Sequence, residues 1–422
     1  MRFVIENVGK ITHADVRLDG ITVICGENNT GKSTVGKALF SYFNSMCDWK
    51  SKIDEERLNY IMSCIFKFLD FEQFAKADPY MLSIEINNAF NEKKLTREGI
   101  YGIIEKYHLV IDEEKLANEL IAITKISNEF LLSEYALRYF QDIFNNSVTN
   151  KNAENKTAEI KAIFRKGTNT VHFTERECSI AQEEPIIHRA HYIDNPFIVN
   201  YLNKPRYIEH LSELERNVIE AITAAKKELN ADKMSNLFEA VANKEKLREV
   251  RELLKRAYKG STIIKNDLYF YHDEEGNDID FRSISTGLKA FALIERLLES
   301  GKLRQEDVLI LDEPEIHLHP EWQLIYAELI VLLQKTFDLT ILVVTHSFHF
   351  LESLKFFTEK YGIPDRGSFY MPKKTEGGYA IDEEDSTLQS LMESLSQPVF
   401  DLSDMKFEFE MEQNHEDEDD TE

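Results

Sequence analysis

A phosphate-binding pattern lies near the start of the chain. Residues 26–33 read GENNTGKS and match the G-x-x-x-x-G-K-[ST] loop without a gap. Glycines let backbone N–H groups turn towards phosphate oxygens, and the helix that follows adds the positive end of its dipole. Lys32 would reach the β- and γ-phosphates, and the Ser33 hydroxyl would reach Mg²⁺. The residues expected to bind nucleotide are Gly26, Asn28, Asn29, Thr30, Gly31, Lys32, Ser33 and Thr34.

Two consecutive carboxylates end an aliphatic run much later in the chain. Residues 308–314 read VLILDEP, which predicts a buried strand ending at Asp312 and Glu313. Asp312 would hold the Mg²⁺ shell. Glu313 would polarise the attacking water, because phosphoryl transfer needs an oriented nucleophile beside a charge clamp. A lone Asp-Glu pair is commonly a solvated turn, but the aliphatic run and the phosphate loop favour catalysis.

Two further segments carry residues that could contact phosphate. Residues 341–344 predict a strand, and His346 just beyond it could donate to the γ-phosphate. Ser285 and Gly287 precede an apolar helical run, and a helix N-terminus binds anions. A simple helix cap by Ser285 is the alternative interpretation of that turn.

The elements that must position these residues alternate between strand and helix. Strands are predicted over 3–5, 14–18 and 21–25, and a helix over 35–42 directly follows the phosphate loop. A hairpin is predicted around residues 275–277. An α/β fold is therefore expected.

Helical periodicity interrupts this α/β pattern twice. Apolar residues at three- and four-residue steps predict one helix over 116–130, followed by an exposed loop over 145–157. A second periodic run begins at 211, breaks at 230–232 and continues to about 258. Two such helices predict a hairpin arm about 30 Å long.

Charge and composition exclude several classes of protein. The net charge is −25, from 50 basic and 75 acidic residues in 422, which argues against a general DNA-coating surface. No apolar run reaches about twenty residues, so no membrane span is expected. The four cysteines form no C-x-x-C pair, as suits a reducing cytoplasm. A cytoplasmic location is predicted.

The order GENNTGKS, SISTGLK, VLILDEPEIHLHP, VVTHS resembles the ABC-type ATPase head. It is most similar to the branch that contains the overcoming-lysogenization-defect (OLD) ATPases, RecF and the Rad50/SMC proteins. The resemblance implies an α/β fold in which a P-loop sheet is flanked by helices, with helical insertions forming an arm or subdomain. It also implies that two copies sandwich ATP and Mg²⁺.

Several roles follow from this resemblance. Ser285, Gly287 and Lys289 of one copy would close on the γ-phosphate bound by the other, and Glu315 would lie in an inter-subunit loop. His346 would be the switch histidine. The catalytic set is then Glu313, Lys32 and His346, and Ser33 and Asp312 would bind the metal. The family's usual Gln after a strand is missing, and Asp194 or Asn195 is the candidate replacement.

The resemblance also divides the chain. Residues 1–43, 165–202 and 260–395 are assigned to the ATPase head. Residues 44–164 are predicted as a helical insertion and 203–259 as the helical hairpin arm. Residues 396–422 are predicted as an acidic, disordered tail, which either only solubilises the chain or occupies a basic partner.

What the ATPase serves is left open between two hypotheses. Standalone OLD-like ATPases resemble the ATPase subunits of anti-phage systems of the PARIS and Septu kinds. The first hypothesis is therefore a sensor or regulator that forms a homodimer or higher oligomer and controls a separate nuclease or toxin effector. The segment after residue 347 is too short for a nuclease domain of typical size, so none is expected on this chain.

The alternative is a RecF- or Rad50-like repair ATPase that binds DNA directly. Bases in the second arm helix could track phosphates, although mixed charges on a helix are more often a solvated face. These bases are Lys244, Lys246, Arg248, Arg251, Lys255, Arg256 and Lys259. His317 and His319 suggest zinc, but no third ligand stands at metal spacing and loop packing is favoured.

Overall fold

The structure is a computed structural model that describes residues 1–68, 78–92, 95–109, 111–153, 156–228, 237–257, 259–382, 397 and 401–407. Within these ranges the strands form sheets of seven, five and three strands. The predicted α/β class is confirmed. The described helices also include none that is long and apolar enough to cross a membrane.

A five-stranded sheet carries the phosphate loop at the carboxyl end of one of its strands. Its order is β13-β3-β12-β11-β7, and every neighbouring pair is parallel. The strands are β3 Ile21–Cys25, β7 Ala190–Ile193, β11 Val308–Asp312, β12 Thr340–Thr345 and β13 Gly367–Tyr370. Since β3 and β7 are buried along their whole length, both faces of the sheet are covered, as their continuous apolar runs predict. All five carboxyl ends therefore meet at the same edge.

The seven-stranded sheet packs over one face of this central sheet. Its order is β14-β15-β2-β1-β4-β5-β6. Its strands are β1 Arg2–Val8, β2 Ile11–Arg17, β4 Ala158–Ile163, β5 Thr168–Phe173, β6 Cys178–Ala181, β14 Lys373–Thr375 and β15 Gly378–Ile381. Burial alternates along β4, as expected for a sheet with one covered face. Strand β4 lies inside the range predicted as a helical insertion, and the helices there end at Ile143.

Helix α1, Lys32–Met46, fills the space between the two sheets. Its Val35, Leu39 and Phe43 share one core with β1 and β2 and with Ile310 and Leu342 of the central sheet. Three further helices belong to a second core on the other face. They are α9 Thr286–Glu299, α10 Pro320–Phe337 and α11 Phe348–Lys360. The central sheet that carries the phosphate loop thus has a packed hydrophobic core on each of its two faces.

A separate helical region follows α1. Its helices are α2 Trp49–Phe68, α3 Pro79–Asn91, α4 Arg97–Lys106, α5 Glu113–Ile123 and α6 Asn128–Ile143. The single helix predicted over 116–130 is wrong. Ser127 accepts a hydrogen bond from the backbone of Phe130 and starts a new helix there, because a capping side chain competes with continuation. The two apolar residues beyond the break, Ile126 and Phe130, are exposed.

The segment predicted as an exposed loop over 145–157 is partly anchored. The backbone N–H of Gly9 donates to Val148 O at 2.9 Å, and that of Asn150 donates to Asn7 O at 2.7 Å. Asn150 is buried. These hydrogen bonds tie the segment to the end of β1. Amino-acid composition alone could not reveal them.

The predicted hairpin arm corresponds to α7 Glu213–Glu228 and α8 Leu237–Ala257, and its tip, 229–236, lies outside the described residues. Val218 and Ile222 of α7, with Val250 and Leu254 of α8, are buried in the same core as the central sheet. These parts of the two helices are therefore packed on the head. The predicted hairpin near residue 276 is confirmed within a small sheet of β8 Ser261–Lys265, β9 Leu268–His272 and β10 Asp278–Asp280. Most of the predicted tail lies outside the described residues, and residues 401–407 are helical.

Candidate active site

The phosphate loop wraps around the Lys32 side chain. The ammonium donates to Gly26 O at 2.8 Å and to Glu27 O at 2.6 Å, and Lys32 is only 4% exposed. Gly31 has φ of +87°, a conformation that favours glycine, and it delivers the chain into α1. Burial lowers the pKa of Lys32, an effect opposed by the charges of Glu313 and Asp312. The loop therefore already has the curvature that a phosphate chain requires.

Other loop residues are placed around this turn. The Thr30 hydroxyl donates to Glu27 O at 2.9 Å, and the side chain of Asn29 lies beside Lys10. Ser33 and Thr34 belong to the first turn of α1. The predicted nucleotide-binding residues of this segment thus form one contiguous loop at the carboxyl edge of the parallel sheet.

Ser33 and Asp312 meet although 279 positions separate them. The Ser33 hydroxyl donates to Asp312 Oδ1 at 3.2 Å. Burial raises the pKa of the Asp312 carboxyl, because the charged form loses hydration there. A hydroxyl and a carboxylate at this distance are oxygen ligands of the kind that Mg²⁺ prefers. The residues present therefore fit the predicted metal.

Tyr192 holds the second oxygen of Asp312 and was not identified from the sequence. Its hydroxyl donates to Asp312 Oδ2 at 2.5 Å, and the ring is buried in β7 opposite Ile310. Gly36 of α1 makes room for it, since a Cβ there would stand 3.1 Å from the Tyr192 ring. Sequence spacing contains no signal for this contact, because it depends on the pairing of β7 with β11.

Tyr192→Phe should weaken the response to Mg²⁺ without abolishing activity. Removing the hydroxyl leaves Asp312 Oδ2 without its buried donor, so the carboxylate is less well oriented. We expect the Mg²⁺ concentration for half-maximal ATP hydrolysis to rise about tenfold. A Mg²⁺ titration of the ATPase rate measures this. An unchanged midpoint would show that Tyr192 only packs the core.

The candidate base lies next to the candidate switch histidine. Glu313 has φ of +51°, and its backbone N–H donates to Val344 O at 2.8 Å, which ties the end of β11 to β12. Its Oε1 is 3.4 Å from His346 Nδ1. A non-glycine residue in this conformation costs about 1–3 kcal/mol and such residues cluster at functional sites. The structure therefore brings Glu313 and His346 together at the ends of neighbouring strands.

Glu315 lies in the loop between β11 and α10, as expected from the sequence, and its side chain is buried. Its side chain is 3% exposed, and Oε1 accepts a hydrogen bond from the Thr345 hydroxyl at 2.5 Å. Burial raises the pKa of this carboxyl. The Glu315 carboxylate therefore lies beside the end of β12.

The two candidates for the missing Gln have different surroundings. Asn195 accepts a hydrogen bond from the backbone of Phe197 at 2.9 Å and caps a short 3₁₀ helix, Pro196–Tyr201. Burial, followed by the charge of Asp312, raises the pKa of Asp194. Asp194 directly follows Ile193, which pairs with Leu311, the residue before Asp312.

The segment around Ser285 shows local reasons for its residue types. Ser285 is exposed and its hydroxyl caps α9 by accepting from Leu288 N at 3.4 Å. A Cβ on Gly287 would stand 2.7 Å from the Trp322 ring. Lys289 is buried, its ammonium lying 3.4 Å from Arg282 O and over the Phe197 ring. No hydrogen bond or ion pair among the described residues joins these three to the phosphate loop.

Two other candidate sites have structural explanations. His317 packs edge-to-face on Phe197 at 5.7 Å, and His319 O accepts from Trp322 N at 2.7 Å at the start of α10. The structure describes the side chains of five of the seven bases noted at the second arm helix, and four of these five are paired with carboxylates. The ion pairs are Arg251 with Glu299, Lys255 with Glu252, Arg256 with Glu328 and Lys259 with Glu274. These pairs reduce the charge available to DNA phosphates.

Comparison with solved structures found SMC head domains of low similarity. The SMC head domain from Thermotoga maritima is 11% identical with a TM-score of 0.39, and covers 90% of this chain and 97% of its own. An Smc head with an extended coiled coil bound to the C-terminal domain of ScpA, derived from Pyrococcus furiosus, is 11% identical with a TM-score of 0.43. That alignment covers 94% of this chain and 98% of the other. At these scores the likeness carries no argument.

Comparison of the sequence with protein families is more specific. No curated protein matches the chain. The AAA ATPase domain family matches residues 1–351, a span that contains the phosphate loop, Tyr192, the carboxylates after β11 and His346. Because that match covers well over half of the 422 residues and ends beyond the last predicted catalytic residue, the chain belongs to the AAA ATPase domain family.

Proposed function

We propose that this ATPase is Mg²⁺-dependent, that two copies close around ATP, and that it is the sensor or regulator of a prokaryotic anti-phage system with a separate effector. The observation that carries the catalytic part is the Ser33–Asp312 contact at 3.2 Å beside the Glu313–His346 pair. Together they gather a metal-binding pair, a candidate base and a phosphate sensor at one edge of the sheet.

Each residue then has a distinct task. Lys32 exchanges its two loop carbonyls for phosphate oxygens when ATP enters, and Ser33 and Asp312 hold Mg²⁺. The metal, when bound, neutralises charge that develops on the phosphates. Glu313 orients the water for attack, and His346 senses the γ-phosphate from the next strand.

Closure by a second copy is supported by the exposed start of α9. Ser285 is exposed at the start of this helix, and the helix dipole favours an anion there. Lys289, which is turned into its own subunit, is not needed for this contact. The proposed assembly is therefore a homodimer or a higher oligomer, with Ser285 and Gly287 approaching the partner's ATP.

A protein effector fits the surface charge better than DNA. The net charge is −25, and the described cations at 251, 255, 256 and 259 are paired with carboxylates. The likeness of the four sequence segments to standalone OLD-like ATPases supports the defence role. Direct DNA binding by a RecF- or Rad50-like ATPase is the alternative, favoured by the bases at 244–248.

Capture of the ATP-bound state tests this assignment. Glu313→Gln protein, expressed with its neighbouring genes and loaded with Mg²⁺-ATP, should retain a stoichiometric protein partner in a pull-down with mass spectrometry. Lys32→Ala protein is the matched control, since it should not load ATP and should lose any ATP-dependent partner. Bound DNA without a protein partner in the Glu313→Gln sample would favour the repair hypothesis instead.

A further inference from the structure

Glu315 is buried, and its two carboxylate oxygens differ in their hydrogen bonds. Oε1 accepts from the Thr345 hydroxyl at 2.5 Å and lies 3.4 Å from the backbone N of His346. Oε2 is buried and has no hydrogen-bond partner among the described residues. An unsatisfied buried carboxylate oxygen costs about 1–3 kcal/mol, so a native chain that keeps one calls for an explanation.

The His346 side chain lies near two carboxylates, those of Glu313 and Glu315, and makes a hydrogen bond of usual length to neither. Its Nδ1 is 3.4 Å from Glu313 Oε1 and 3.8 Å from Glu315 Oε1. Both distances exceed the usual range of a hydrogen bond to nitrogen. A single Nδ1–H can be donated to only one of them at a time, so the two carboxylates compete for the same proton.

The choice of partner matters for the chemistry. If His346 donates to Glu313, the candidate base has one of its oxygens occupied and is less available to the attacking water. If His346 donates to Glu315, both oxygens of Glu313 are free of His346 and available to the attacking water. Oε1, the oxygen 3.8 Å from Nδ1, already accepts from Thr345, so the acceptor for Nδ1–H is Oε2, which has no hydrogen-bond partner among the described residues.

We propose that Glu315 is a positioning residue that accepts the Nδ1–H of His346 in the ATP-bound state and thereby releases Glu313 to orient the attacking water. This inference rests on the proposed function, in which Glu313 is the base and His346 faces the γ-phosphate. Only the acceptor of one hydrogen bond changes, and no covalent bond is made or broken.

The variant Glu315→Gln distinguishes two roles of Glu315, positioning His346 and merely anchoring the loop. The Gln side-chain oxygen can still accept from Thr345 and from the backbone N of His346, so the loop anchor is retained. The negative charge and the second acceptor are lost. We expect kcat to fall about tenfold or more, the size of ordinary coupling between contacting residues, while the Kd for ATP changes by less than about threefold.

A double-mutant cycle with His346→Gln provides the decisive readout. If Glu315 acts through His346, the double variant should be no slower than His346→Gln alone, because the same interaction has been removed twice. Thr345→Val tests the same link without altering Glu315. It removes the hydroxyl that fixes Oε1, and should lower kcat when His346 is present but not in the His346→Gln background.

Glu328→Gln is the matched control for replacing a buried carboxylate. Glu328 is buried in α10 and accepts from Lys360 and Arg256, outside the candidate site. It should lower the thermal midpoint while leaving kcat unchanged.

The outcomes separate the inference from the function on which it rests. Wild-type kcat in Glu315→Gln, or losses that multiply with His346→Gln, would overturn the positioning role. Loss of activity in Glu313→Gln with no loss in Glu315→Gln would therefore contradict this inference alone. An unchanged rate in Glu313→Gln would contradict the proposed base instead.

Discussion

Glu313→Gln is expected to bind Mg²⁺-ATP normally and to hydrolyse it about 100- to 1000-fold more slowly than the wild type. The amide has the same size as the carboxylate, but it carries no negative charge and cannot accept a proton from water. Removal of one positioned general base or one electrostatic stabiliser has effects of this size in other enzymes. The strained φ of +51° and the nearby His346 indicate that this side chain is held for a purpose other than packing.

Two measurements on one preparation test this expectation. Isothermal titration calorimetry gives the Kd for ATP, and phosphate release under saturating ATP gives kcat. Glu352→Gln, which alters an exposed carboxylate of α11, should match the wild type in both. Phosphate release from Glu313→Gln at more than about a tenth of the wild-type rate would rule out Glu313 as the main base.

Lys32→Ala is expected to lose measurable ATP binding, with a Kd raised at least about 100-fold. The ammonium is the positive charge at the centre of the loop, and its two bonds to Gly26 O and Glu27 O show that it already lies inside the turn. Its loss removes the charge-assisted contacts to phosphate and leaves the two carbonyls without their donor. Hydrolysis should disappear as a consequence of lost binding.

Titration with ATP by calorimetry checks the change in affinity, and a thermal melt checks the fold. Lys335→Ala is a suitable control, because Lys335 is an exposed lysine of α10 whose ammonium donates to the carbonyl of Tyr361 and lies over the Tyr361 ring, away from the candidate site. It should retain wild-type affinity. Tight ATP binding by folded Lys32→Ala would mean that the nucleotide is held elsewhere on the chain.

The contiguous parts of the site were predictable from the residues alone. A glycine-rich turn with Lys32 and Ser33 needs only eight neighbouring residues and a flanking strand and helix. Asp312 and Glu313 were identified because an aliphatic strand ends directly before them. In each segment the reactive residues lie next to the residues that predict the local backbone. Predicting them therefore does not require knowing which distant segments pair.

Errors arose where a local pattern competed with another local preference. The apolar spacing over 116–130 is compatible with one helix, but Ser127 caps a new helix and leaves Ile126 and Phe130 exposed. Similarly, the polar composition near Asn150 suggested solvent, whereas hydrogen bonds to the edge of the sheet bury that residue. Such outcomes depend on which of two weak preferences is reinforced by packing.

Long-range pairing decided the surroundings of the reactive groups. Strand β7 runs beside β11, and only this register brings the Tyr192 hydroxyl to Asp312. The pairing of β11 with β12 brings the buried Glu315 carboxylate to Thr345 and His346. The sequence alone thus identified the candidate groups for the phosphate chemistry. Their partners came from the fold, because hydrogen bonds between distant segments depend on strand order and register, which no contiguous motif encodes.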